Sequence, residues 1–419
     1  MSKIIIHNVQ LNQQPSDVVI EDKYFRSITP AAADFIPPAD AKVIDGTNLA
    51  IAAPFYNTHN HAGMTLLRGF ADDMRLQEWL NEHIWPIEAK LTAKITYDGV
   101  RLAILEMIKS GTVSFNDMYF FQTQTIRAAE EMGVRAQVGV LEMKFADSRY
   151  ENDEIWERRK DYSDLIQINL APHAIYTTTK ELLQSVADKS EQFNVAIHTH
   201  AAETRFEVDS CLKEHNMTPI EYLDSVGILR RNTILAHCVH LTSHDMELIQ
   251  KRQAVIAHNP CSNAKLASGI CELDKLLKHG CRVTIGTDGC SSNNNLSMLE
   301  EMKFAALLAK VSTSDPTAAN ANMIYQLATR NGAEAFDINA GGIAVGKLAD
   351  CILVNIKHHR LTGGDNLISH LVYSASEEVV NSVICNGRIL MENRKVENEA
   401  DIIDSARESC RILQQSQTK

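Results

Sequence analysis

The run LAIAAPFYNTHNH at residues 49–61 sets the pattern from which the fold is predicted. It begins with apolar, strand-like residues and ends in polar ones. The chain repeats this pattern with helix-like segments between the runs, as at residues 98–109 and 180–192. The runs are, in order, LAIAAPFYNTHNH, TVSFNDM, RAQVGVLE, LIQINLAPHA, NVAIHTHAAE, NTILAHCVHL, AVIAHNPCSN and RVTIGTDG. Strands that alternate with helices predict a parallel sheet built from strand–helix units.

The number of these units points to one α/β architecture. Eight strand–helix units predict a (β/α)8 barrel, the TIM barrel, which takes roughly 250 residues with insertions allowed. We therefore predict a catalytic barrel over residues 53–346.

The segments on either side of the barrel are also strand-like. IIIHNVQL and DVVIEDKYFRSI come early, and ADCILVN and VVNSVICNGRILME come late, the last with a hairpin turn at Asn386 and Gly387. These runs predict a small β-sandwich formed by residues 1–52 together with residues 347–395. The remaining segment, residues 396–419, predicts a C-terminal helix.

Charge and cysteine content exclude several classes of protein. Lys and Arg number 41 against 53 Asp and Glu, so the net charge of −12 repels phosphate backbones and anionic membrane surfaces. The nine cysteines contain no CxxC pair, which argues against a secreted disulfide framework. No run reaches the roughly 18–20 apolar residues of a membrane span, and the chain starts without a signal-like segment. We expect a cytoplasmic protein with no nucleic-acid or membrane partner.

Side chains that bind metals stand at the ends of four of the eight runs. They are His59 and His61 in the first run, His198, His200 and Glu203 in the fifth, His237 in the sixth and Asp288 in the eighth. Residues two apart on a strand share a face, so His59 and His61 can both face the barrel axis. Imidazole and carboxylate groups bind zinc at about 2.0–2.2 Å. Active sites of these barrels lie at the carboxyl ends of the strands, so the pattern predicts a metal site there.

Six motifs carry a resemblance to a known family. They are NTHNHAGMTLLRG, WPIEAKLT, HTHAAET, LAHCVHL, NPCSNAKLASG and GTDGCSSNNNLSMLEEMK. Together they resemble the methylthioadenosine/S-adenosylhomocysteine deaminases of the amidohydrolase superfamily, near relatives of chlorotriazine hydrolases and guanine deaminases. The resemblance covers nearly the whole chain. It implies hydrolytic deamination of 5′-methylthioadenosine, S-adenosylhomocysteine or adenosine to the inosine product and ammonia.

By matched position, the resemblance also implies a single metal ion. The ion is usually zinc in this group, with iron(II) and manganese(II) as alternatives. Its implied ligands are His59, His61, His200 and Asp288. Such an ion lowers the pKa of bound water from about 15.7 toward about 7. His198 competes with His200 for the ligand role, since both lie on one strand face, and the HxxE spacing to Glu203 favours His200.

The same resemblance implies three catalytic residues. Glu203 would move a proton to the purine ring nitrogen, while Asp288 and His237 would deprotonate and orient the attacking water. A solvated charge is the alternative for Glu203. A helix-entry or surface residue, like the neighbouring His240 and His244, is the alternative for His237.

The residues implied to face the substrate are Glu88, His173, Trp79, Arg149, Ser292, Glu203 and His237. Glu88 matches the position that accepts hydrogen bonds from ribose hydroxyls. The residues alone leave structural alternatives: an exposed acid for Glu88, a core residue for Trp79, a polar plug for His173 and a helix cap for Ser292.

Arg149 is a looser match. The family often places an arginine on the loop after the third strand, where it pairs with the carboxylate of S-adenosylhomocysteine. Here that loop reads EMKFADSRYENDE, and Arg149 fits the pattern only approximately. A weaker carboxylate contact would favour methylthioadenosine, adenosine, 5′-deoxyadenosine or a different heterocycle.

The sequence therefore predicts a metal-dependent nucleoside deaminase with two alternatives. One is the same chemistry on guanine, a pterin or a chlorotriazine, and the other is a catalytically silent scaffold. The complete set of implied ligands, with Glu203, argues against the scaffold. The resemblance implies a homo-oligomer. The preferred substrate, the bound metal and the pathway are not specified by the sequence.

Overall fold

The computed structural model describes residues 3–74, 78–145, 147 and 149–415. The strands are β1 Lys3–Leu11, β2 Gln14–Glu21, β3 Tyr24–Pro30, β4 Lys42–Asp45, β5 Leu49–Ala52, β6 Phe55–Asn60, β7 Thr112–Asp117, β8 Arg135–Glu142, β9 Ile166–Pro172, β10 Ile197–Ala201, β11 Thr233–His237, β12 Val255–His258, β13 Arg282–Ile285, β14 Cys351–Asn355, β15 Val380–Cys385, β16 Arg388–Glu392 and β17 Lys395–Val396.

Among the described residues, strands β6 to β13 form an eight-stranded parallel sheet in chain order. The sheet curls until β13 meets β6. Thr58 Oγ1 and Thr284 Oγ1 lie 2.7 Å apart, and the backbone N–H of Asp288 donates to the carbonyl of His59 at 3.0 Å. The predicted barrel is confirmed, and its closure brings the first and last strand ends side by side.

Helices connect the barrel strands. The longer ones are Ala93–Ser110, Gln122–Met132, Lys180–Phe193, Arg205–His215, Ser243–Arg252, Met298–Thr313, Ala321–Ala328 and the terminal Glu399–Gln415. Shorter helices are Trp85–Glu88, Asn152–Glu157, Pro219–Ser225, Pro260–Lys265, Leu273–Lys278, Cys290–Asn293, Arg330–Ala335 and Leu367–Tyr373. The 3-10 helices are Ala62–Leu67, Ile175–Thr177, His359–Leu361 and Glu377–Val379, and Trp79–Ile84 is a π-helix.

Threonine caps explain where several of these helices begin. Thr92, Thr179 and Thr204 each accept, through the side-chain oxygen, the N–H three residues later. A capped first turn satisfies a backbone donor that would otherwise have no partner.

None of the helices in the described ranges combines the length and the apolar composition that a membrane span requires.

The two terminal segments share a second sheet. Its nine described strands run β17-β16-β15-β14-β5-β1-β2-β3, with β4 also paired to β1. Strands β5 and β14 join the early and late segments in antiparallel register. The predicted β unit built from both ends of the chain is thus present, as one mixed sheet with its own apolar core.

The predicted hairpin at Asn386 and Gly387 is also present, between β15 and β16. Both residues have positive φ, at 52° and 72°, as a tight two-residue turn requires. A Cβ on Gly387 would lie 1.9 Å from the carbonyl oxygen of Asp22, so only glycine fits.

Candidate active site

Strand ends bring five side chains that could ligate a metal ion into one buried group. His59 lies on β6 and His61 just after it, His200 on β10, His237 at the end of β11, and Asp288 three residues past β13. The Nε2 atoms of His59 and His61 lie 3.3 and 3.2 Å from Asp288 Oδ1. His200 Nε2 is 3.4 Å from His61 Nε2.

The opposite ring nitrogen of each histidine is already engaged. His61 Nδ1 donates to the Met118 carbonyl and His200 Nδ1 to the His173 carbonyl, both at 2.7 Å. His59 Nδ1 shares a hydrogen bond of 2.8 Å with His198 Nε2. These bonds hold each imidazole with its Nε2 lone pair aimed at the centre of the group, as in protein metal sites.

The donor set fits a divalent cation. Two triads, His59/His61/Asp288 and His59/His200/His237, have ligand atoms within 4.8 Å of one another. Among the described residues, His59 Nε2 is buried without a hydrogen-bond partner. A buried nitrogen of this kind is costly unless something satisfies it, and imidazole with carboxylate is a typical zinc ligand set.

Asp288 is fixed by three further donors. The hydroxyls of Ser262 and Ser292 donate to Oδ2 at 2.6 and 2.9 Å, and the Gly289 N–H donates to Oδ1 at 2.8 Å. Ser292 therefore orients this carboxylate besides facing the pocket. Sequence reasoning did not single out Ser262, although it lies in the quoted run AVIAHNPCSN, where polar residues follow a strand end.

Glu203 lies beside His237, which is one member of this buried group. His237 Nε2 is 3.9 Å from Glu203 Oε2, and the Ser268 hydroxyl donates to Glu203 Oε1 at 3.1 Å. His237 Nδ1 donates to Asn263 Oδ1 at 2.8 Å, which leaves Nε2 as the acceptor. Burial raises the pKa of Glu203, so the site favours its protonated form more than water does.

A second carboxylate, Glu207, holds the backbone at Glu203. Its two oxygens accept the N–H groups of Ala202 and Glu203 at 3.0 and 2.9 Å. Glu207 is buried, and sequence reasoning missed it because a glutamate in the first turn of a helix is ordinary.

The backbone is strained at the strand ends that present these groups. Ala202, His237, Cys238 and Asp288 have φ of 51°, 74°, 50° and 62°. Non-glycine residues rarely occupy this left-handed region, and such positions concentrate at functional sites. Here the turns redirect the chain so that strand-end side chains face the barrel mouth.

The group lies in a cavity of about 310 Å³. The cavity brings together ten residues from the predicted set: His61, Trp79, Glu88, Arg149, His173, His200, Glu203, His237, Asp288 and Ser292. Asp147 and Thr177 also line the cavity, and the rest of the wall is apolar or aromatic: Met64, Leu80, Trp85, Met118, Tyr119, Phe120, Leu141, Met143, Phe145, Tyr150, Tyr176 and Leu266. An apolar pocket with a few convergent polar groups is typical of a small-molecule site.

Glu88 is buried in this cavity and is not an exposed acid. It is 3% exposed, and burial raises its pKa to about 7. Glu88 Oε1 and the Tyr119 hydroxyl are both buried without a hydrogen-bond partner among the described residues. Two such groups in one pocket wall are suited to a polar ligand.

His173 and Trp79 form other parts of the wall. His173 Nδ1 lies 3.0 Å from Thr177 Oγ1, and burial lowers the pKa of His173 to about 3, so its imidazole is neutral. Trp79 begins the π-helix Trp79–Ile84, a local irregularity often found at functional sites.

Arg149 is held by neighbours on the pocket wall. Its Nε donates to Asp147 Oδ1 at 2.8 Å, and Nη1 donates to the Glu88 carbonyl. Its guanidinium lies 3.9 Å from the centre of the Phe120 ring.

Comparison with known proteins identifies a family, two relatives and a solved structure to which this chain is similar. The Amidohydrolase family profile matches residues 51–390. A 5′-deoxyadenosine deaminase of Methanothermobacter thermautotrophicus is 44% identical over 388 residues, 91% of this chain and 90% of the relative. One of Methanosphaera stadtmanae is 45% identical over 376 residues, 88% of each chain. The crystal structure of an adenosine deaminase from Xanthomonas campestris with bound zinc has a TM-score of 0.92 and 31% identity, covering 99% of this chain and 98% of that one.

Proposed function

The chain belongs to the amidohydrolase family, and we propose that 5′-deoxyadenosine is the adenine nucleoside it deaminates in preference. Hydrolytic deamination of adenine nucleosides is the activity that its family and relatives support. The finer choice of substrate is supported by the name that the relatives share. The products are the corresponding inosine nucleoside and ammonia.

One observation carries the nucleoside assignment. Among the described residues, one oxygen of the buried Glu88 carboxylate has no well-formed hydrogen bond, and the Tyr119 hydroxyl is its polar neighbour in the cavity that also contains the candidate metal ligands. A ribose offers two neighbouring hydroxyl donors, which would satisfy that oxygen. A free base or a chlorotriazine has no such pair of neighbouring hydroxyls, so a nucleoside suits the buried carboxylate better than either alternative.

We assign the metal to His59, His61, His200 and Asp288, with zinc as the ion. When bound there, zinc would supply Lewis-acid activation of water at neutral pH. His198 bonds to the far nitrogen of His59, which suits a supporting role better than direct ligation.

The protein's own groups would move the protons. Glu203, whose pKa is raised by burial, would pass a proton to the ring nitrogen next to the amino-bearing carbon. His237 Nε2 and Asp288 would accept a proton from the attacking water. Addition of water at that carbon, followed by protonation and loss of the exocyclic nitrogen, releases ammonia.

The remaining predicted residues would position the nucleoside. Glu88 would accept the ribose hydroxyls, while neutral His173 and Trp79 would contact the nucleoside. Ser292 would act through the carboxylate of Asp288, to which it donates a hydrogen bond.

Three broader expectations stay proposals. We expect a homo-oligomer in the cytoplasm, without nucleic-acid or membrane partners. We also propose the division into residues 1–52 with 347–395, residues 53–346 and residues 396–419 as the domain organisation. Light scattering on the purified protein measures the oligomeric state directly.

An ammonia-release assay on zinc-loaded protein tests the function. The substrates are 5′-deoxyadenosine, 5′-methylthioadenosine, S-adenosylhomocysteine, adenosine, guanine and a chlorotriazine, with His200→Ala as the blank. We expect the highest kcat/KM for 5′-deoxyadenosine and no turnover of guanine or the triazine. A faster reaction with a free base or a triazine would overturn the nucleoside assignment.

A further inference from the structure

The pocket contains one fixed cation. Among its described lining residues, Arg149 is the only lysine or arginine, whereas Glu88, Asp147, Glu203 and Asp288 are carboxylic acids. Within the described part of the pocket wall, Arg149 is therefore the side chain on which an anionic substituent of a substrate would find a fixed positive partner.

That cation is already paired within its own loop. Asp147 Oδ1 accepts the Arg149 N–H at 2.9 Å and Nε–H at 2.8 Å, and Asp147 Oδ2 accepts from Nη2. The hydrogen bond from Arg149 lowers the pKa of Asp147, so the pair stays charged near neutral pH. Such a two-point pair leaves the guanidinium with little net charge to offer.

The pair lies beside the proposed ribose site. Arg149 Nη1 donates to the backbone carbonyl of Glu88, and the guanidinium packs on Phe120. With the ribose hydroxyls on the Glu88 carboxylate, this ion pair would lie beside the sugar, because Arg149 contacts the Glu88 backbone. A group attached to the ribose 5′ carbon would meet a neutralised cation and apolar walls that include Met143 and Tyr150.

We propose that Asp147 determines substrate specificity: by pairing with Arg149, it restricts the pocket to nucleosides with an uncharged 5′ group and excludes anionic ones. This inference rests on the proposed nucleoside deaminase function. It identifies Asp147 as a specificity residue and gives the chemical class that the site rejects, carboxylates and phosphates.

A zwitterionic amino-acid group has an ammonium that could pair with Asp147 as well as a carboxylate that could pair with Arg149. The contacts argue against this arrangement. Both oxygens of Asp147 are occupied by three donors of Arg149, so an ammonium would have to displace them.

Two isosteric substrates isolate the charge. Adenosine-5′-carboxamide and adenosine-5′-carboxylic acid have nearly the same shape, and only the acid is anionic. We expect the wild-type kcat/KM for the amide to exceed that for the acid by at least about tenfold. In Asp147→Asn the Arg149 guanidinium is released, and the ratio of kcat/KM for the amide to kcat/KM for the acid should fall by about tenfold. In the double variant Asp147→Asn/Arg149→Gln the ratio should return toward the wild-type value.

The matched control is Asp153→Asn, which removes an equal charge from an exposed residue outside the cavity. Its ratio should equal that of the wild type. A purely structural effect of Asp147→Asn would change kcat/KM for both substrates by the same factor. If Asp147→Asn does not fold, Asp147→Ser is measured in its place. An unchanged ratio in the folded variant, or a ratio that rises, overturns the proposal. If the wild type deaminates no nucleoside, the proposed function has failed instead, and calorimetric binding of the two compounds still tests Asp147.

Discussion

Glu203 combines burial with two polar neighbours, and this combination makes it the proton donor of the proposed reaction. Replacing Glu203 with glutamine keeps the shape of the side chain and an oxygen that can accept from the Ser268 hydroxyl, but it removes the titrating proton. We predict that Glu203→Gln lowers kcat by roughly 10²–10⁴.

The metal content and the pH profile check this prediction. Wild-type activity should fall as rising pH removes the proton from Glu203, whose pKa is raised by burial. Glu203→Gln should lack this loss of activity at high pH, while its zinc content, measured by atomic absorption, stays at the wild-type level. Full activity of the variant would refute the assignment.

Glu207 acts one step further from the substrate, as a positioning residue. It holds the backbone N–H of Glu203, and its own burial raises its pKa to about 7. Glutamine would present an N–H to one of the two backbone donors and would remove a nearby negative charge. We predict about a tenfold lower kcat for Glu207→Gln, with little change in KM.

The pH profile separates positioning from a general structural defect. A neighbouring negative charge raises the pKa of an acid, so its removal should shift the high-pH limb of activity to lower pH. Glu214→Gln, an exposed change on the same helix Arg205–His215, should shift nothing. A Glu207→Gln enzyme with an unmoved limb would show that Glu207 has only a capping role.

The individual residues show what sequence can and cannot predict. His59, His61, His200 and Asp288 could be singled out because residues of these types follow apolar runs, which mark strand ends, and because the family resemblance matches their positions. Their role as metal ligands stays a proposal. Asn263 and Glu207 could not be singled out, because their roles depend on which backbone and side-chain atoms they meet across the barrel mouth.

At the level of elements, the approach of β13 to β6 places Asp288 beside His59. Gly286 lies at that seam, and a Cβ there would come within 2.6 Å of Asn259 Oδ1 and 2.8 Å of His59 N. The backbone of His59 cannot move away easily, so a Cβ on residue 286 would displace the end of β13 instead. We predict that Gly286→Ala weakens zinc binding by about 10–100-fold, as loss of supporting contacts does in other metal sites.

Zinc affinity measured by competition with a chelator checks the prediction. Gly342→Ala is the matched control, because a Cβ there meets nothing closer than 3.9 Å. Equal zinc affinity in both variants would mean that the seam does not set the ligand geometry.

The elements also show what the sequence could and could not predict. Alternating runs predicted the eight strands and the two-part β unit, since each follows from local pattern. The left-handed turns at Ala202 and His237 were not predictable, because neither residue type favours positive φ and tertiary contacts impose it. The π-helix Trp79–Ile84 likewise has no local sequence signal.

At the scale of the whole molecule, a buried ion pair joins the barrel to the terminal sheet. Arg135, at the start of β8, pairs with Asp350, just before β14, at 3.1 Å. Asp350 also accepts from the Tyr56 hydroxyl at 3.0 Å and from the Asn386 N–H at 2.6 Å. The sheet is thus attached at the amino ends of the barrel strands, away from the site at their carboxyl ends.

This attachment predicts a stability effect without a catalytic one. Asp350→Ala would leave a buried guanidinium and a backbone donor unpaired, at a cost of about 3–5 kcal/mol of unfolding free energy. Urea denaturation should show a lower midpoint, whereas kcat/KM per folded molecule should match the wild type.

The control is Asp404→Ala, which breaks the exposed pair with Arg407 and should change the free energy of unfolding by less than about 1 kcal/mol. The double change Arg135→Met/Asp350→Leu should recover part of the loss, because it removes the uncompensated charge. If Asp350→Ala instead lowered kcat/KM of the folded enzyme, the terminal sheet would have to support the active site as well as the fold.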